Sequence, residues 1–223
     1  MARKRPVVAI DGPAGAGKSS VARQVAEELG YVRVDTGALY RAVGLVALER
    51  GVELDDGPGL GNLASELKLA FVEGPGGPRL QVNGSDREDD LRSQDVALAA
   101  SRVSAHPEVR GALLEAQRAM GADGGVVLEG RDIGTVVFPD AEVKVFLTAS
   151  PEARARRRLR DLEDKGTETT FEEVLAAMQE RDARDSSRAH APLKPAEDAI
   201  VVDSTEMSQP QVVARIAGLA RGD

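Results

Sequence analysis

The chain of 223 residues has no cysteine, two histidines, few aromatic residues and no long apolar run. Without cysteine there is no disulfide, no thiolate nucleophile and no cysteine-ligated zinc. His106 and His190 stand far apart and no HExxH segment occurs, so a zinc-hydrolase helix of that type is absent. Aromatic residues make up 3% of the chain, too few for stacked rings to be the main mode of base recognition. The basic start MARKRP precedes an apolar run of only four residues, Val7 to Ile10. That is too short for a signal-peptide core or a membrane span. A net charge of −8 disfavours polynucleotides and anionic membranes as partners. A cytoplasmic protein is expected, a monomer that uses neither nucleic acid nor membrane.

What is present is an alternation of short apolar runs with longer helical patterns. Val7–Ile10, Val32–Val34, Val126–Leu128, Val143–Leu147 and Ile200–Val202 read as buried strands, without the in/out alternation of a half-exposed sheet. Helices are expected at Lys18–Leu29, closed by Gly30, at Pro107–Met120, and near the end, where Ser208 and Gln211 have capping-box spacing. The fold class that follows is α/β, a five-stranded parallel sheet flanked by helices. Two stretches interrupt it. Residues 57–84 are rich in glycine and proline and read as a small hairpin or three-stranded insert. Residues 150–192 read as a charged helical hairpin, with Pro151 at the start of one helix, a turn over residues 165–170, and a Thr170/Glu173 capping box on the other. The expected division is a core at about 1–36, 107–149 and 193–223, an insert-bearing part at about 37–106, and a lid at about 150–192.

Between the first strand and the first helix stands GPAGAGKSS, comprising Gly12, Pro13, Ala14, Gly15, Ala16, Gly17, Lys18, Ser19 and Ser20. It satisfies G-x-x-x-x-G-K-[ST] in the strand–loop–helix context that the pattern requires. Glycines let successive backbone N–H groups turn towards phosphate oxygens, and the helix N-terminus adds its dipole. Lys18 would sit on the β- and γ-phosphates of ATP, and the Ser19 hydroxyl would hold Mg2+. Neither Asn62 nor Asn83 is followed by lysine, so the guanine-reading NKxD motif is missing. Glu129, at the end of the third strand, either joins the magnesium shell through water or is a plain strand-end carboxylate.

Arg154, Arg157 and Arg158 recur at i, i+3 and i+4 on the first hairpin helix, and Arg181, Arg184 and Arg188 at i, i+3 and i+7 on the second. Such faces would suit a lid closing over polyphosphate. They also suit a solvated helix pair laced by Glu180–Arg184 and Arg181–Asp185, or contact with nucleic acid. Arg41 and Arg131 each follow a turn-like, glycine-containing stretch, TGALYR and EGR.

IDGPAGAGKSS, DTGALYR, EGRDIGTVVFPDA and ERDARDSSRAHAPL together make the chain resemble the bacterial cytidylate kinases over nearly its whole length. That resemblance implies transfer of the γ-phosphate of ATP to CMP or dCMP, with Mg2+. It implies that Arg41, Arg131 and Arg188 grip the acceptor phosphate, that Ser101, Arg110 and Asp132 read the base, and that Asp185 meets the ribose. It adds Thr36 to the substrate-binding set. Arg154, Arg157, Arg158, Arg181 and Arg184 become candidates for the transferring phosphoryl group. The chain has Glu129 where aspartate is frequent in that family.

Elementary chemistry agrees with the implied reaction. A phosphate monoester loses its second proton near pH 6, so it is already an anionic nucleophile at neutral pH and needs no general base. Positioning and charge neutralisation remain, and arginines with magnesium supply them. A carboxylate at Asp132 would accept from the cytosine amino group and be opposed by the O4 of uracil.

Overall fold

The structure, a computed structural model, describes residues 3–74, 77–164 and 166–222. Lys165, in the turn expected between the hairpin helices, lies outside the described residues. So do Met1, Ala2, Pro75, Gly76 and Asp223, which fall within the expected core and insert boundaries. The first half of the chain forms β1 (Val7–Asp11), α1 (Lys18–Leu29), β2 (Val32–Asp35), α2 (Thr36–Arg50), α3 (Gly57–Glu66), β3 (Leu69–Gly74), β4 (Gly77–Val82), β5 (Ser85–Asp86) and α4 (Gln94–Val103). Then come α5 (Pro107–Gly121), β6 (Val126–Gly130), β7 (Val143–Thr148), α6 (Pro151–Glu163), α7 (Phe171–Ser186), β8 (Ile200–Asp203) and α8 (Gln209–Arg221). Two compact units are distinguished, Met1–Arg33 with Asp123–Asp223, and Val34–Ala122. None of the described helices is long and apolar enough to cross a membrane.

The first unit is built on the parallel five-stranded sheet, in the order β2-β6-β1-β7-β8. Its central strands β1 and β6 are buried at every residue, as uninterrupted apolar runs require when both sheet faces are covered. The edges behave differently from the sequence-based expectation. Val32 on β2 is 50% exposed and Val201 on β8 53% exposed, while β7 alternates buried with half-buried positions. A short apolar run cannot tell a central strand from an edge strand, because the partner strands and covering helices lie elsewhere in the chain. Val21 and Val25 of α1 pack with Val8 and Ile10 of the sheet and with Val212 and Ile216 of α8. Each such side chain contributes about 1.5–3 kcal/mol on burial. Gly30 closes α1 in the left-handed region, and Ser208 with Gln211 forms the capping box of α8.

In the same unit α6 and α7 form the expected helical hairpin. Ser150 Oγ accepts from the Ala153 amide, and Thr170 with Glu173 closes a full capping box. Ala155, Val174 and Met178 join the two helices, with Ala14 packed against them. Arg188 lies beyond the end of α7, which corrects the expectation of three arginines on one helical face.

The second unit holds an antiparallel sheet in the order β3-β4-β5, the three-stranded insert read from composition. Three helices there had no counterpart in the sequence reading. Residues 57–66 are not part of a hairpin but α3. Asp56 caps it by accepting from the Gly59 amide, Pro58 sits in its first turn, and Leu60, Leu63 and Ala64 are buried. Its glycines are not turn markers. A Cβ at Gly61 would stand 2.6 Å from the Glu108 Cβ of α5, so glycine permits a close helix–helix approach. TGALYR, expected as a turn, opens α2, whose residues 38–40 and 42–47 are all buried. Burial on nearly every side removes the polar stripe that makes a helix recognisable from sequence. The third is α4, beside which α2 lies so close that a Cβ at Gly44 would come within 3.0 Å of Ala99 and Ala100. Helix α5 was expected in the core, but Val109 and Leu113 belong to the apolar cluster of the second unit with Leu39, Leu60 and Leu80.

Candidate active site

In the first unit the glycine-rich loop turns sharply off the end of β1. Gly12 has φ 148°, and a Cβ there would lie 2.0 Å from the Leu147 carbonyl oxygen, so no other residue fits without moving β7. Gly17, at φ 90°, opens α1, and no side chain caps that helix. Its first N–H groups are therefore directed at whatever occupies the loop, the arrangement that binds anions. Pro13, Ala14, Gly15 and Ala16 complete the loop. Lys18 folds back over it, its Nζ donating to the Pro13 carbonyl at 2.8 Å. Lys18 is buried, and its pKa is driven well below the ordinary lysine value by that burial and then by the positive charges of Arg131 and Arg181, against the pull of Glu129 and Asp11. A polyphosphate entering here would reverse that balance and favour the charged ammonium. Ser19 and Ser20 are exposed on the first turn of α1.

The Ser19 hydroxyl donates to Glu129 Oε2 at 2.6 Å. Glu129 is buried, and Arg33 on β2 donates to its Oε1 from Nε at 3.0 Å and from Nη2 at 2.7 Å. Among the described residues no group of three histidine, aspartate and glutamate side chains could hold a metal by itself. A hydroxyl beside a carboxylate is nevertheless the oxygen donor set suited to magnesium, which binds through one or two protein ligands plus substrate phosphates and water. Ser19, with Glu129 behind it, fits that role.

At the end of β1 Asp11 accepts the amides of Ile133 and Gly134, each at 2.8 Å. Burial pushes its carboxyl up to about 6, although the two amides pull the other way. This contact fixes the start of the single π-helical turn Ile133–Val137 and therefore the two residues just before it, Arg131 and Asp132. Asp132 is buried. Arg131 Nε donates to Asp185 Oδ2 at 3.1 Å, and Arg188 donates to Asp185 Oδ1. Burial works to raise the Asp185 pKa, but Arg131, Arg188 and Arg181 outweigh it and hold the carboxylate ionised. One aspartate thus gathers two arginines expected on the acceptor phosphate.

The hairpin arginines divide by partner. Arg154 is buried and donates to the Ala149 carbonyl at 3.1 Å, the Ala14 carbonyl at 3.0 Å and Asp182 Oδ2 at 2.6 Å. Its guanidinium braces the hairpin against the glycine-rich loop. Arg157 donates to Ser204, to Oγ at 3.0 Å and to the carbonyl at 2.6 Å. Arg184 pairs with Glu180 at 2.6 Å, the i,i+4 contact read from spacing. Arg158 is half-buried and makes no hydrogen bond or ion pair among the described residues.

In the second unit Thr36 is buried at the start of α2, and Arg41 of the same helix donates to Asp35 Oδ2 at 2.8 Å. Ser101 is also buried, rather than on a helix surface. Ser104 Oγ donates to the Ser101 carbonyl at 3.0 Å, and Arg110 donates to the Ser104 carbonyl at 3.2 Å while its guanidinium stands 5.3 Å from the Tyr40 ring.

Sequence reasoning left Asp11, Arg33, Asp182 and Ser204 without a role. Asp11 had a signal, as the carboxylate closing an apolar strand just before the loop. Arg33 had a weaker one, as the cation between two valines in VRVD. Asp182 and Ser204 had none, since what they touch comes from distant chain segments.

A family model described as cytidylate kinase matches residues 8–221. The chain is similar to the cytidylate kinase of Citrifermentans bemidjiense, at 50% identity over 222 residues covering 97% of this chain and 95% of that one. It is also similar to those of a Geobacter species, at 51% identity covering 93% and 89%, and of Exiguobacterium sibiricum, at 48% identity covering 98% of each chain.

Proposed function

Since the chain belongs to the cytidylate kinase family and is an ATP-dependent kinase, we propose that it transfers the γ-phosphate of ATP to CMP or dCMP, releasing CDP or dCDP and ADP. The observation that supports this most directly is the electrostatic meeting of Lys18 with Arg131 and Arg181 beside the uncapped N-terminus of α1. Three cations around an anion-binding loop are what a phosphoryl group requires while negative charge spreads over its oxygens.

The backbone N–H groups of residues 12 and 14–20 hold the ATP phosphates, and Lys18 neutralises the γ-group. Ser19 would hold Mg2+, which would supply neutralisation of the phosphate charge. Arg158 and Arg181 follow the transferring group, Arg158 because its guanidinium is uncommitted among the described residues. Arg157, which also donates to the Ala16 carbonyl of the loop at 3.5 Å, and Arg184 are candidates for the same group. In the first unit Arg131 and Arg188 are assigned to the acceptor phosphate, with Asp185 orienting both and receiving the ribose. In the second unit Arg41 has the same phosphate assignment, and Thr36, Ser101 and Arg110 belong to substrate binding. The acceptor attacks in line as an anion, so no protein group takes a proton from it.

Buried Asp132 accepts from the cytosine amino group, and a site built on such a pairing discriminates by about 10⁴ or more against an analogue that leaves it unpaired. The test is magnesium-dependent ADP formation with CMP, dCMP, UMP, AMP and GMP offered separately. Strong turnover with CMP and dCMP, weak with UMP and negligible with the purines is the expected pattern. Turnover favouring another monophosphate would discard the base-reading assignment and keep the kinase.

A further inference from the structure

A hydroxyl group has one hydrogen to donate and two lone pairs with which to accept or ligate. For Ser19 to offer a lone pair to a cation, its hydrogen must be engaged elsewhere, and the acceptor at hand is Glu129 Oε2. The Glu129 side chain is 4% exposed, so if Oε2 turned away the Ser19 hydrogen would lose this acceptor and the lone pairs would no longer be directed outward. Something must keep that oxygen turned towards Ser19.

Arg33 is placed to do so. Its Nε and Nη2 both donate to Oε1 instead of forking across the two oxygens, and Oε2 takes the Ser19 hydroxyl. The two side chains rise from β2 and β6, neighbours in the sheet, so their orientation is set by rigid elements rather than by a loop. An always-protonated guanidinium also keeps its charge where a desolvated lysine would lose it. We propose that Arg33 is a positioning residue. It holds the Glu129 carboxylate turned so that Oε2 takes the Ser19 hydrogen and the hydroxyl presents a lone pair outward, and it thereby sets how tightly magnesium is held with the nucleotide. This rests on the assignment of magnesium to Ser19 made above.

The experiment is binding, not turnover. ADP affinity is measured by titration calorimetry on the full chain over a magnesium series, for wild type, Arg33→Gln, Arg33→Lys and Ser19→Ala. Loss of a residue that orients a metal ligand costs about 10–100-fold in metal affinity. Arg33→Gln should therefore need that much more magnesium for the same tightening of ADP binding, with metal-free ADP affinity unchanged and Arg33→Lys intermediate. An unchanged magnesium requirement in Arg33→Gln overturns the proposal, and so does an equal loss of ADP affinity with and without the metal. Ser19→Ala separates the two levels. If it leaves the magnesium requirement at the wild-type value, the Ser19 assignment fails and takes this proposal with it. If it raises the requirement while Arg33→Gln does not, only the role of Arg33 falls. Should Arg33→Gln not fold, Arg33→Gln with Glu129→Gln leaves no unpaired buried charge. That double variant should still need more magnesium, and a wild-type requirement in it overturns the proposal.

Discussion

The glycine-rich loop and the arginine hairpin are both phosphate-seeking regions by composition, yet they are made in opposite ways. The loop works with backbone, through a glycine that lets the chain pass the Leu147 carbonyl and a helix start that no side chain caps. Its binding groups are fixed by local conformation, and one contiguous segment contains them all. The hairpin works with long side chains whose direction is decided by what else they can reach. Arg154 and Arg158 lie one helical turn apart on α6. One is buried against two carbonyls and Asp182, and the other has no partner among the described residues. The same residue type at adjacent positions of one face is in one case a brace and in the other a free cation. A run of arginines therefore identifies a charged element without saying which members act.

Substitutions test that contrast, the largest effect being expected in the loop. Lys18→Ala removes the only lysine of the loop, and turnover should fall by about 10³-fold or more with the unfolding midpoint little changed. A loss below tenfold would mean that the loop does not hold the reacting phosphate. Arg154→Ala should instead show itself in stability. It leaves Asp182 half-enclosed without its cation, a loss of about 3–5 kcal/mol by urea denaturation if the pair behaves as a buried one. Unaltered stability would refute the bracing role.

Asp11 gives an effect of about 3 kcal/mol that depends on pH. Its folded pKa of about 6 lies above the ordinary aspartate value of 3.8, so the fold favours the protonated form relative to the unfolded chain. The contribution is fully present below about pH 4 and is lost as pH rises through about 6. The unfolding free energy of wild type relative to Asp11→Asn should therefore decline over that interval, and a flat difference would contradict it. Arg184→Ala should do least to stability. Its pair with Glu180 is an exposed i,i+4 contact, worth under about 0.5 kcal/mol, and a loss above 1 kcal/mol would show that the contact is not simply a surface one.

The sheet was legible because β1, β6, β7 and their companions are short apolar runs at α/β spacing, and the loop because its pattern is contiguous. Caps at Thr170 and Ser208 were legible for the same reason, each involving residues within one helical turn. Helix α2 was not, because a helix buried on nearly every side has no polar stripe. Nor was α3, whose glycines signal a turn until α5 is known to press against them. At the site, Lys18, Ser19, Arg131 and Asp185 were named from sequence, but the bridge by which Asp185 joins Arg131 to Arg188 spans distant segments, as does the hold of Asp11 on the residues after Asp132.

By itself the sequence determined the phosphate loop, the alternation that makes the sheet, and the stock of arginines from which charge neutralisation could be drawn. Those depend on φ/ψ preferences and periodicities that act over a few residues. Only the tertiary structure decided which strands are edges, which arginine braces and which is uncommitted, and that Glu129 stands between Ser19 and Arg33. A charged side chain several ångströms long takes its role from the partner that desolvates or neutralises it, and those partners are set by packing between segments far apart in the chain.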